Sequence, residues 1–413
     1  GGLFALILGA TCISCSVILR LNILYQPNSL DVLLWTTVYF TIVKYISTNN
    51  AKWLYFLALA FALGFLNKYN IAFLLLGLLP ALLVTEHRKL FVNKHLYGAL
   101  LFGLLLVLPN LIWQYNNAFP VFHHLEELAK TQLENVSRLD FLKEQLLFFV
   151  GSLFVLVAAF FSFFTYPAFR KYNVLFWAFL FTLLIFIYFK AKGYYAIGLY
   201  PIFMAFGAAY LEQLLKRKWL FYLRPVAVLL PILFLIPFLN VAFPISSPAT
   251  IQQNIHAYKD LGLLRWEDGK DHSLPQDFAD MLGWKELAQK VDSAYFKIND
   301  AEHTLVLCDN YGQSGAINYY STIKNIQAVS FNADYINWFP LNKKIKHAIL
   351  VKDIYDDEKD RKKQRTQFEI VEKSGEIADS FAREFGTTIY ILKNARIDIN
   401  QVLRKEIEEE KRF

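Results

Sequence analysis

Long apolar runs alternate with short polar segments from Gly1 to about Phe243, and beyond that point the pattern changes. A helix needs about 20 apolar residues to cross about 30 Å of hydrocarbon. Runs of this kind cover residues 1–19, 30–46, 96–113, 141–164, 174–189, 196–215 and 225–243. The stretch 53–84 differs: it is two apolar runs separated by Asn67-Lys68-Tyr69-Asn70. Each half has about 14 residues, or roughly 21 Å of helix at 1.5 Å per residue. That predicts a broken hairpin with a polar tip rather than one span or two full ones. Counting it twice gives about nine crossings.

From Pro244 onward charged and apolar residues mix as in a water-soluble fold. The spacing in 278–296 predicts a helix, and 304–310, 326–331, 347–353 and 387–394 read as strands. The last ten residues, RKEIEEEKRF, read as a solvated charged helix or a frayed end. The expected fold is therefore mostly α: a polytopic helical membrane domain over 1–243, then a small α/β extracytoplasmic domain over 244–413.

Composition agrees with this division. The chain is 55% hydrophobic with 38 Phe, and its mean hydropathy is +0.32. The net charge of +7 does not point to nucleic acid, because many Lys and Arg lie in short loops between spans, where they set topology. Loops 44–52, 86–95, 170–171 and 216–224 carry most of them and share one side if 53–84 is a broken hairpin. That side is expected to be cytoplasmic. The tail, the tip and the 114–140 loop then face outward. Three cysteines give no disulfide framework, and Cys12 and Cys15 read as small packing residues in an apolar helix. The chain starts with Gly-Gly inside an apolar run and resembles no signal peptide. It is expected to be a fragment that has lost its natural start.

Four polar clusters are expected on the outer face. Lys68 with Asn67 and Tyr69 forms the tip. A lysine at membrane depth costs about 2.5–3.5 kcal/mol unless it meets water or an anion. Asp31, behind Asn28-Ser29-Leu30, is either a first-turn acid that stabilises its helix or a carboxylate in an active-site network. Lys190-Ala191-Lys192-Gly193-Tyr194-Tyr195 pairs two cations with two phenols, unless it is an interfacial aromatic belt with snorkelling lysines. Trp113 and Gln114 lead into His123, His124, Arg138 and Asp140 in a loop that a surface-lying amphipathic helix would largely explain. Trp113, Gln114 and Arg138 are candidates for an acceptor or sugar pocket. Cations set between helices at a membrane's outer face suit a lipid phosphate, with Lys as a point charge and Tyr as a hydroxyl donor. No Gly-rich phosphate loop is present, and Gly312-Gln313-Ser314-Gly315 reads as a turn into a helix rather than a nucleophile elbow. Asn135-Val136-Ser137 fits a glycosylation sequon of little weight.

The segments NSLDVLLW, ALGFLNKY, LPNLIWQ and KGYYAIGLYP, in this order and spacing, resemble bacterial membrane glycosyltransferases of family 39. These are relatives of the dolichyl-phosphate-mannose protein mannosyltransferases and of the aminoarabinose transferase that modifies lipid A. LPQDFADMLGWKELAQKV and NYGQSGAINYY resemble the outer domain of bacterial members. The resemblance implies a GT-C fold, a polyprenyl-phosphate-sugar donor and an outward-facing site in the bacterial inner membrane. It implies that Lys68 contacts the donor phosphate, with Asn67 and Tyr69 shaping the pocket, and that Lys192 and Tyr195 line the lipid-phosphate side. Asp31 matches a supporting acid. The family's presumed base belongs to an acidic pair in a first outer loop. That loop and the first two spans would precede Gly1.

The implied reaction is an inverting sugar transfer to a hydroxyl or phosphate on a protein, lipid or glycan acceptor. No metal ligand is singled out, although a divalent metal stays open. Two other readings remain: a lipid or sugar flippase, and a non-catalytic anchor that presents the tail.

Overall fold

The computed structural model describes the chain except for residues 132, 134, 135, 412 and 413 and the side chains of residues 123, 127, 131 and 218. Glu134 and the Asn135 sequon, and the side chains of His123 and Glu127, lie outside the described residues. The chain divides into two compact units, Gly1–Ile245 and Ser246–Phe413.

The first unit is helical. Its helices are α1 Leu3–Ser14, α2 Val17–Leu21, α3 Asn28–Thr48, α4 Lys52–Asn67, α5 Ala72–Leu83, α6 Lys94–Asn116, α7 Pro120–Thr131, α8 Arg138–Leu147, α9 Leu153–Thr165, α10 Asn173–Tyr188, α11 Pro201–Leu214, α12 Arg224–Leu235 and α13 Leu239–Ala242. Among the described residues four helices are long and apolar enough to cross a membrane, or up to seven if each bent pair is one span. The shorter apolar helices Leu3–Ser14 and Lys52–Asn67 stand beside these.

Three expected spans are broken, among them 196–215, where the 3₁₀ segment Gly193–Leu199 meets α11 at 47°. The first stops at Ser14, where Ser16 starts α2 by accepting the Ile18 N–H at 3.3 Å. The segment 141–164 is not one straight crossing: α8 and the helical segment Val150–Thr165 meet at 61°. Only the part after the bend is uniformly apolar, which is why the run looked continuous.

The hairpin at 53–84 has unequal arms. α4 ends at Asn67, Lys68 is extended at φ −160°, and a 3₁₀ turn, Tyr69–Ile71, leads into α5. The arms separate to different partners. α4 packs between α3 and α6, and Ala58 Cα lies 3.9 Å from where a Cβ on Gly103 would be. α5 runs antiparallel to α10: the Phe73 ring packs at a tilt against Phe186 at 5.1 Å, while His87 beyond the far end meets the Lys171 carbonyl at 2.7 Å. Gly77 permits this approach, because a Cβ there would meet Thr182 N at 2.8 Å and Ala178 O at 3.0 Å.

These pairings sort the loops of the first unit onto two ends. One end holds 44–52, 86–95 and 170–172, joined by Asn93 to Tyr45 at 3.1 Å and by His87 to Lys171. The α11–α12 loop closes on the start of the chain, with Gly2 N donating to Glu212 at 2.6 Å and Arg224 over Phe4 at 4.9 Å. The other end gathers 26–31, 67–70, 110–117, 138–145 and 187–200.

The second unit contains α14 Pro248–Gln253, α15 Ile255–Asp260, α16 Gln276–Ala279, α17 Trp284–Ile298, β1 Thr304–Cys308, α18 Tyr311–Tyr320, β2 Ala328–Ser330, β3 His347–Lys352, α19 Lys362–Gln367, β4 Phe368–Glu376, β5 Thr388–Ala395 and α20 Ile399–Glu410. The sheet order is β2-β1-β3-β5-β4. β2, β1 and β3 are parallel, and β5 and β4 are antiparallel additions. α17 and α18 cover one face through Leu287, Val291 and Ile317, and α20 covers the other through Ile399 and Leu403. Beyond Leu403 the helix continues to Glu410 as its charged, mostly exposed end, in line with the expected solvated helix. The helix expected over 278–296 is interrupted at Gly283, whose φ of +82° ends the preceding turn before α17 begins. β4 was not expected.

Candidate functional site

The tip of the hairpin meets the start of α3 and the 190–195 turn. Lys68 Nζ donates to Asn28 Oδ1 at 2.7 Å. The same ammonium lies 4.9 Å from the Tyr194 ring centre and 4.6 Å from that of Tyr195. Two ring faces stabilise a partly desolvated cation by about 0.5–2 kcal/mol each. Asn28 is held in turn, its amide donating to Gln26 at 2.6 Å. Asn67 donates to the Pro27 carbonyl at 3.0 Å and so fastens the end of α4 to the start of α3.

Asp31 sits in the first turn of α3 but makes no capping bond to its own backbone. Its oxygens accept instead from Trp35 Nε1 at 3.0 Å and Asn70 Nδ2 at 3.2 Å. The carboxylate is only 5% exposed. The Asn70 amide also donates to the Tyr195 carbonyl at 3.1 Å. One asparagine thereby ties α3, the hairpin tip and the 190–195 turn together. Asn70 Oδ1 is buried without a hydrogen-bond partner among the described residues. Lys68, Asp31 and Lys192 are close enough for their charges to act on one another.

The sequence candidates separate into those at this centre and those beside it. Asp31, Asn67, Lys68, Lys192 and Tyr195 converge. Tyr69 faces α6: its hydroxyl donates to Asn110 at 2.9 Å and accepts from Gln114 at 2.8 Å. Gln114 is therefore a buried support for the hairpin. Trp113, one residue earlier on the helix, is 44% exposed. Arg138 donates to the Ile187 and Tyr188 carbonyls at 3.0 and 3.4 Å, so its guanidinium closes the C-terminal end of α10. Among the described residues no hydrogen bond or ion pair joins Trp113 or Arg138 to Lys68 or Asp31.

The sequence reading passed over Asn70, Asn110, Glu144 and Gln145 as site residues. Glu144 accepts the Gly193 N–H, and Gln145 donates to the Gly193 carbonyl at 3.0 Å. The signal was present, since a Glu-Gln pair inside an apolar run is costly in hydrocarbon and so marks a helix end or a polar cavity. Among the described residues no group of three His, Cys, Asp or Glu side chains is placed to hold a metal ion.

A patch of cationic, amide and phenolic groups around one buried carboxylate is suited to binding an anion next to a hydroxyl. Residues 1–113 match the family model described as dolichyl-phosphate-mannose-protein mannosyltransferase. The match supports the GT-C glycosyltransferase family. It runs from α1 to Trp113 on α6, so it includes Asp31, Asn67, Lys68, Tyr69 and Asn70 and stops before Gln114, Arg138, Lys192 and Tyr195. The match suggests a membrane glycosyltransferase, and the apolar helices suit a multi-pass membrane protein. No curated protein and no solved structure matches the chain.

Proposed function

We propose that this chain transfers a sugar from a polyprenyl-phosphate donor to an acceptor hydroxyl or phosphate at the outer face of a bacterial inner membrane. The observation that carries the reading is the position of Lys68. It is a half-buried ammonium at a break between two apolar helices, oriented by Asn28 and two phenol rings and faced by a second lysine segment. Such a cation is costly to keep at membrane depth, and an anionic headgroup repays that cost.

In this reading the donor's phosphate lies between Lys68 and Lys192, with Tyr195 beside it. As the acceptor oxygen attacks the anomeric carbon, the carbon–oxygen bond to the phosphate breaks and that phosphate takes up charge. Preoriented cations stabilise developing charge without reorganising, which is often the largest single contribution to catalysis. Asp31, bound by Trp35 and Asn70, holds the hairpin tip in register. The acceptor's proton passes to a base that this proposal does not place among residues 1–413. The end bearing Lys68 is taken as extracytoplasmic because the opposite end carries the Lys- and Arg-rich loops. The second unit follows α13, so it too belongs on the outer side, where acceptor recognition is its proposed task.

The test uses membrane vesicles containing the chain, a radiolabelled polyprenyl-phosphate sugar and bacterial envelope acceptors. Lys68→Ala at normal membrane levels is expected to reduce transfer by about a hundredfold, the scale seen when one charge-stabilising donor is removed. Transfer at the wild-type rate would remove Lys68 from the mechanism. Movement of labelled lipid across vesicles that hold no acceptor would favour a flippase instead.

A further inference from the structure

We propose that Glu144 and Gln145 form a clamp on the Gly193 backbone and that this clamp holds Lys192, Tyr194 and Tyr195 in the geometry that receives the donor phosphate. The inference rests on the donor site described above and assigns two positioning residues to it.

Both backbone polar groups of one residue are taken by neighbouring side chains of α8. The Gly193 N–H goes to the Glu144 carboxylate, and the Gly193 carbonyl accepts from Gln145 Nε2 at 3.0 Å. Residues adjacent on a helix point about 100° apart. Side chains of this length nevertheless converge on the one residue, Gly193. Gln145 is 5% exposed and is itself oriented by Tyr200, whose hydroxyl donates to Oε1 at 3.0 Å. The Tyr200 ring stacks on Phe149 at 4.1 Å. The clamp is therefore backed by packed rings rather than left to solvent.

The turn needs an anchor. Lys190 has a φ of +53°, a conformation that favours glycine, so the chain leaves α10 under strain. A Cβ on Gly193 would run into Glu144 Oε2, so the carboxylate is seated directly on the backbone. Gly193 stands between Lys192 and Tyr194, and a shift of this peptide moves both. On the far side the turn is held by Asn70, which donates to the Tyr195 carbonyl. The two tethers act on Gly193 and Tyr195, on either side of Tyr194. A carboxylate makes a stronger bond to an N–H than a neutral acceptor does, which accounts for an acid at a position where a span would carry an apolar residue.

The experiment uses the whole chain in lipid nanodiscs, with hydrogen exchange of segment 190–195 and binding of polyprenyl monophosphate as the two readouts. Glu144→Leu and Gln145→Leu are expected to speed exchange in 190–195, to leave exchange along α4 and α6 unchanged, and to weaken lipid-phosphate binding about tenfold. Glu144→Gln keeps an oxygen acceptor and is expected to recover most of the affinity. Gly193→Ala should reproduce the loss from the turn's side with α8 intact, which covers the case in which an α8 variant fails to fold. Unchanged exchange in both leucine variants overturns the clamp. Faster exchange with wild-type affinity overturns its link to the donor. If the wild-type chain itself binds no polyprenyl phosphate, the donor reading has failed, and this role falls with it.

Discussion

Trp35 shows how little slack the centre has. Its indole donates to Asp31 while its ring lies against Gly198, where a Cβ would come within 2.6 Å of Cγ. Gly198→Ala should push the indole away from Asp31. Overpacking of this kind costs about 1–3 kcal/mol, so a lower thermal midpoint in detergent is expected, together with weaker donor binding. A variant with both properties unchanged would show that Trp35 does not set the carboxylate. At this scale Lys68 and Asp31 were legible because an isolated charge in an apolar run is expensive. Asn70 was seen only as part of the tip, since nothing in the sequence says that its amide reaches both Asp31 and the Tyr195 carbonyl. Glu144 was hidden by the leucines and phenylalanines around it, which made a bent pair of helices look like one span.

Elements differ in how openly the chain encodes them. The hairpin could be read from its four polar residues, yet its arms turned out to serve different neighbours, a matter of long-range packing. In the second unit β1, β3 and β5 are marked by β-branched, buried runs. β4 is an edge strand whose Glu369, Glu372 and Lys373 face solvent, so it lacked that mark. At the open end of β1 and β3 lies a group with a consequence for stability. His303 Nδ1 lies 2.9 Å from Asp300, and His347 Nε2 lies 3.5 Å from it. The hydrogen bond with His303 is the chief cause that holds the Asp300 carboxyl below the usual carboxylate range. Burial holds the His347 imidazole below its ordinary value, with Asp300 opposing. As pH falls through about 6.5, the unfolded chain takes a proton at this histidine that the folded unit resists, so stability declines. Asp300 adds a second loss below about 3.9, where its ionised form is no longer kept. The thermal midpoint of the second unit, followed by near-ultraviolet circular dichroism, should therefore drop between pH 7.5 and 5.5, and His347→Gln should flatten that drop. An equal drop in the variant would place the sensitivity elsewhere.

At the scale of the whole molecule, the first unit is polarised along its length. Basic loops collect at one end, and at the other an arrangement of lysines, phenols and amides surrounds Asp31. The division into a helical membrane part and an α/β part was readable from composition alone, because an apolar run of span length has few other uses. The convergence of 28–31, 67–70 and 190–195 was expected from loop parity and charge, whereas the hydrogen bonds that join them depend on helix pairing. The family match reaches only to Trp113, so the lysine turn and its clamp stand on geometry. The claim on which the rest depends is that the Lys68 end holds an anionic isoprenoid head. It is tested most directly by titrating nanodisc-embedded chain with polyprenyl monophosphate and with the uncharged polyprenol. Wild type should bind the phosphate at least about tenfold more tightly, a difference of about 1.4 kcal/mol, and Lys68→Ala should lose that preference. Equal binding of the two lipids by wild type, or an undiminished preference in Lys68→Ala, would contradict it.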